Sequence, residues 1–86
     1  MEDLLSEAIA HHQAFNFDTA EALYRRCLEQ QPANPAVMNL LGTLLAQTDR
    51  AEQGEQMIRQ VIERTPGFAP AWNNLGSVLS SAGRSA

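Results

Sequence analysis

The side chains with chemistry within reach in this chain are His11, His12, Cys27 and the Arg25-Arg26 pair. Neighbouring residues on a helix point about 100° apart, so His11 and His12 cannot grip one metal ion as an i, i+4 pair does. Cys27 falls on the same helical face as Ala20, Leu23, Tyr24 and Leu28, with no Lys or Arg beside it there. A thiolate needs a positive neighbour to lower its pKa, so Cys27 reads as a small buried hydrophobe and not as a nucleophile. The sequence holds no glycine-rich phosphate loop, no nucleophile elbow and no H-E-x-x-H. The expectation is a chain that catalyses nothing and carries no cofactor and no metal.

Composition narrows the partners. Ten acidic residues against six basic ones give a net charge of −4, and every basic residue is arginine. Nucleic-acid phosphates demand a clustered basic surface, which this balance does not supply. No apolar run approaches a signal segment or a membrane span, and one cysteine cannot form an internal disulfide. A cytoplasmic protein that binds other proteins, with no nucleic acid and no membrane, is the expected setting.

Surface and scaffold must then come from the organisation of the chain, and that organisation is periodic. Pro32 and Pro66, Leu41-Gly42 and Leu75-Gly76, Leu45 and Leu79, Tyr24 and Ile58, Leu28 and Ile62, and Ala20 and Gly54 all lie 34 residues apart. The last copy reads Trp72-x-x-Leu75-Gly76. The middle copy reads Met38-x-x-Leu41-Gly42, then Gly54-x-x-x-Ile58, then Pro66, and the first closes on Ala20-x-x-x-Tyr24 and Pro32 after a looser opening of Leu4, Glu7, Ala8 and His11. This period and these words resemble the tetratricopeptide repeat family. The resemblance covers essentially the whole chain as about two and a half repeats: residues 1–34, 35–68, and a half repeat or capping helix over 69–86. It implies an all-α fold: one domain of five helices in a right-handed superhelical stack of antiparallel helix pairs, an α-solenoid.

The elements follow from local signals. Leu4, Leu5, Ala8 and Ile9 recur at helical spacing within residues 2–14. Phe15-Asn16-Phe17 interrupts them at a place where the family usually has a turn glycine; Asn16 is expected to take the strained turn conformation, and Asp18 with Glu21 to cap the second helix. That helix runs to about Gln30. Asn34-Pro35 has the form of an N-cap and first helical residue. The resemblance implies that Gly42 and Gly54 sit on facing helices, where missing side chains let two backbones approach. Thr48-Asp49 with Glu52 is expected to cap the fourth helix, and Pro70 to lead into the fifth. Two readings of that last helix stay open: a polar cap through Ser77, Ser80 and Ser81, or the first half of a further repeat whose turn is Gly83-Arg84.

The resemblance also implies a concave side lined by the first helix of each pair. Its positions here are Leu5, Ile9, His12 and Gln13, then Asn39, Leu40, Thr43 and Gln47, then Asn73, Asn74 and Ser77. The groove they form is neutral with an apolar end, suited to an extended or helical segment of a partner protein. The family's pocket for the C-terminal carboxylate of heat-shock chaperones would fall on Leu5, Ile9, Leu40, Pro70 and Asn74, none of which brings positive charge. In general style the chain is similar to the arrays that precede O-linked N-acetylglucosamine transferases and bacterial sulfotransferases. Of their asparagine ladder only Asn74 is present, with Ser6 and Leu40 at the earlier rungs. Three functions remain in view: a non-catalytic interaction scaffold or adaptor, the recruiting domain of a larger enzyme such as a glycosyl- or sulfotransferase, and self-association through the last helix.

Overall fold

A computed structural model describes residues 4–81, and among them every regular element is helical. The helices are α1 (Leu4–Gln13), α2 (Phe17–Gln30), α3 (Pro35–Ala46), α4 (Ala51–Arg64) and α5 (Ala69–Ser81). Turns of a few residues join them, so consecutive helices fold back on one another. α1 packs on α2 and α3 on α4, while α2 meets α3 and α5 rests on both α3 and α4. The fold is the all-α helical repeat that the 34-residue period predicts. Gly83-Arg84 lies outside the described residues.

The core is a strip with two overlapping centres. Ala8, Ala20, Tyr24, Val37, Leu41, Leu44 and Leu45 form the first, and Met38, Ile58, Val61, Ala71, Leu75 and Val78 the second. Leu28 and Met57 pack against both, which makes the strip continuous. α3 feeds both centres, hence its apolar residues around more than one face. Each pair of helices buries its apolar side on the next, so a short chain gains a core that it could not enclose as a ball.

Two glycines set the spacing of α3 and α4. A Cβ on Gly42 would stand 2.8 Å from Ile58 Cγ1 and 2.9 Å from the Gly54 carbonyl oxygen. One on Gly54 would overlap the Gly42 carbonyl oxygen and stand 2.7 Å from the Ala46 nitrogen. Backbone therefore lies against backbone, closer than any larger residue allows.

The turns differ from expectation in three places, each for a physical reason. Phe15, not Asn16, takes the left-handed conformation, with φ 64°. The cause is the end of α1: Asn16 N–H donates to the His11 carbonyl at 2.8 Å and Phe15 N–H to that of His12 at 3.1 Å, the paired bonds of a Schellman turn. That geometry fixes the residue that must turn left regardless of its side chain. Asp18 does not cap α2 either, because the turn delivers the chain into the helix two residues earlier, with Asn16 at the N-cap and no side-chain bond there. Thr48 serves the end of α3 instead of the start of α4: its hydroxyl donates to the Leu45 carbonyl at 2.7 Å and accepts from Arg50 N–H at 3.3 Å. α4 starts at Ala51 with Arg50 as an N-cap that makes no side-chain cap bond. Asn34 does cap α3, its Oδ1 accepting from Ala36 N–H at 2.9 Å and Val37 N–H at 3.3 Å.

Phe15 is 77 % exposed and its ring meets that of Phe17 in a T-shaped contact, so the left-handed backbone is strain with little packing return. Phe15→Gly should raise stability by about 0.5–1 kcal/mol, since a left-handed L-residue costs roughly 1–2 kcal/mol and glycine's greater freedom when unfolded offsets part of the relief. Thermal melts check this, with Phe15→Ala as the control that removes the ring and keeps the strain.

The candidate interaction face

α1 reaches the end of α3 through His12, and α3 packs on α5. His12 Nε2 lies against Gln47 Oε1; an amide oxygen accepts, so Nε2 carries the proton. Nδ1 is then free to accept from the Tyr24 hydroxyl at 2.9 Å. Tyr24 is fully buried and needs that partner. Burial, followed by the nearby Cys27, pushes its phenol from near 10 up to about 12. The imidazole also meets Tyr24 and Phe17 edge to face at 5.8 and 5.7 Å between ring centres. One side chain thus links α1, α2 and the end of α3.

Thr43, Ala46, Gln47, Ser77 and Val78 line a recess of about 130 Å³ between α3 and α5. One helical turn before Thr43, Asn39 is only 4 % exposed, and its Oδ1 has no hydrogen-bond donor. A buried amide oxygen left unpaired costs about 1–3 kcal/mol. The Thr43 hydroxyl donates to the Asn39 carbonyl at 2.9 Å, which fixes its rotamer at the rim.

The other residues read as groove-lining fall as follows. Leu5, Ile9 and Leu40 are half-buried and pack on the first core centre, so their apolar surface is shared between core and face. Gln13, Asn73 and Ser77 are exposed, and Asn74 is half-buried. Ala46 and Val78 belong to the recess although sequence reasoning did not choose them. The spacing of Thr43, Ala46 and Gln47 at i, i+3 and i+4 was the signal that could have found the first.

Charge is kept off this face. Glu21 on α2 accepts from Nη1 and Nη2 of Arg50 and, at 3.0 Å, from Arg25 Nε, which fastens α2 to the turn between α3 and α4. The Arg50 bond is the main reason that the Glu21 carboxyl sits below its usual range, with burial opposing it. The contact therefore stabilises the fold above the ordinary carboxylate pKa and weakens as pH falls through the lowered value. Glu55 pairs with Arg59 in the same i, i+4 manner at 2.9 Å on α4. Cys27 is half-buried against the first core centre. Among the described residues no three His, Cys, Asp or Glu side chains converge, and no helix is long and apolar enough to cross a membrane.

A stack of short helix pairs in a 34-residue register, with close-packed glycines inside and a polar, uncharged face outside, defines a helical-repeat protein. The tetratricopeptide repeat family profile matches residues 4–79, and the chain belongs to that family. It is similar to human tetratricopeptide repeat protein 7A, at 29 % identity over 69 residues; the match covers 80 % of this chain and 8 % of that relative's length. Tetratricopeptide repeats generally mediate protein–protein interaction, and proteins of this family are typically non-catalytic scaffolds.

Proposed function

We propose that the chain holds an extended or helical segment of a partner protein on the face made by α1, α3 and α5. The observation that carries this reading is the recess lined by Thr43, Ala46, Gln47, Ser77 and Val78 between α3 and α5. Side-chain amides and hydroxyls there suit the N–H and C=O groups of a peptide, and Leu5, Ile9 and Leu40 supply apolar contact at one end. With no cationic side chain among the eleven face residues, recognition rests on hydrogen bonding and shape, so affinity should depend little on salt.

A displayed random-peptide library selected against the chain tests this. Peptides so obtained should lose at least tenfold in affinity for the triple variant Thr43→Ala, Asn73→Ala, Ser77→Ala. The variant's melting temperature should stay close to that of the parent, because such surface changes shift stability within about 0.5 kcal/mol. The opposite pattern, in which binding survives these changes and is lost in Glu29→Ala with Gln60→Ala on α2 and α4, would place the site elsewhere.

A further inference from the structure

The hydrogen bonds around the recess between α3 and α5 leave its polar residues with set roles. The buried Tyr24 hydroxyl donates to His12 Nδ1 at 2.9 Å, so that nitrogen carries no proton and Nε2 does. Nε2–H then holds the Gln47 side chain by its Oε1. A carboxamide held by its oxygen has its NH2 left to offer, so Gln47 brings a donor to the recess that it lines. Thr43 is fixed the other way. Its hydroxyl proton goes to the Asn39 carbonyl at 2.9 Å, which leaves oxygen lone pairs, so Thr43 brings an acceptor. The two residues stand at i, i+4 where α3 ends, which makes the donor and the acceptor neighbours. Ala46 and Val78 add apolar lining, and Ser77 adds a hydroxyl that can serve in either role.

We infer that this recess takes the primary carboxamide of an Asn or Gln side chain on the partner segment, an inference that rests on the peptide-binding reading above. A primary carboxamide has its oxygen and one N–H on the same edge, the oxygen to accept from the Gln47 NH2 and the N–H to donate to the Thr43 oxygen. A trans peptide unit directs its N–H and C=O to opposite sides, so one backbone unit meets one of the two groups and not both. At about 130 Å³ the recess has the size for a side chain and falls below the roughly 300–1,000 Å³ of pockets for whole small ligands. A carboxylate would set lone pairs against those of Thr43. An ammonium would set its N–H groups against the Gln47 NH2. Each leaves like facing like, so the same two groups that accept a carboxamide reject its charged relatives. His12 is a positioning residue: acting through Gln47, it decides which end of that amide a ligand meets.

Isothermal titration calorimetry with library-selected peptides tests the inference. The tightest peptides should share an Asn or Gln, and replacing it by the isosteric carboxylic acid, or by an ammonium side chain of the same reach, should weaken binding about tenfold or more in each case. In Gln47→Glu, an exposed position that then offers only acceptors, the ammonium peptide should become the tightest of the three. His12→Phe keeps a ring beside Tyr24 and releases the Gln47 amide to turn its oxygen outward. There the penalty on the ammonium peptide should largely vanish while that on the carboxylate peptide stays. A ranking that neither variant alters overturns the inference. Peptides that lose affinity for the triple variant yet tolerate replacement of every Asn and Gln overturn it too, and leave the binding face standing with backbone groups as its ligand. If no selected peptide is sensitive to the triple variant, the binding face and this inference fall together.

Discussion

Gly54→Ala should cost about 2 kcal/mol of folding stability, although alanine is the better helix former. Helix propensity alone favours the change by about 1 kcal/mol. Against it, the added Cβ would overlap the Gly42 carbonyl oxygen and stand 2.7 Å from the Ala46 nitrogen. Both are backbone atoms, which cannot rotate away, so α3 and α4 must separate. Overpacking of this kind costs about 3 kcal/mol at its upper range and leaves the net loss given. Gly42→Ala should be milder, because one of its two close neighbours is the tip of the Ile58 side chain. Gly76→Ala, in the same register with nothing near its Cβ, should be neutral or stabilising. Urea midpoints for the three variants give the test: one substitution at three glycines should order Gly54 below Gly42 below Gly76. Equal midpoints would mean that the backbones do not touch.

Tyr24→Ala should be the most damaging side-chain truncation, at about 3–5 kcal/mol. It empties a fully buried site in the first core centre and takes away the hydroxyl that His12 Nδ1 accepts from. A domain of this length holds roughly 4–13 kcal/mol in total, so circular dichroism at 37 °C should show a large loss of helix. Tyr24→Phe separates the causes: it keeps the ring and should cost only about 1 kcal/mol for the bond to His12. If Tyr24→Phe were as damaging as Tyr24→Ala, the hydrogen-bond network, and not the packing, would be holding α1 and α2 to α3.

Most of the scaffold was legible because it repeats. Matched residues at a fixed interval, with Asn34-Pro35 at a helix start, are enough to place five helices without reference to long-range contacts. The turns were less legible, since one side chain can serve either of two helix ends. Thr48 closes α3 where its sequence neighbours suggested that it opens α4. Phe15 shows the same limit: tolerance for positive φ pointed to Asn16, but the bonds closing α1 decide which residue turns. The face was legible as a set of positions and not as chemistry. Whether Asn39 is a solvent-facing donor or a buried amide without one depends on how α3 packs, and the Glu21–Arg50 pair joins residues 29 apart that no helical spacing relates. The recess needs α5 against α3, a contact between helices that are not neighbours in sequence.

The most direct test of the proposed binding face is a nuclear magnetic resonance titration of the ¹⁵N-labelled chain with a library-selected peptide. The account predicts that the amide and side-chain signals of Asn39, Thr43, Gln47, Asn73 and Ser77 move together, with the Asn39 side-chain amide among the largest shifts. Shifts confined to the exposed residues of α2 and α4, with these five unmoved, would contradict it.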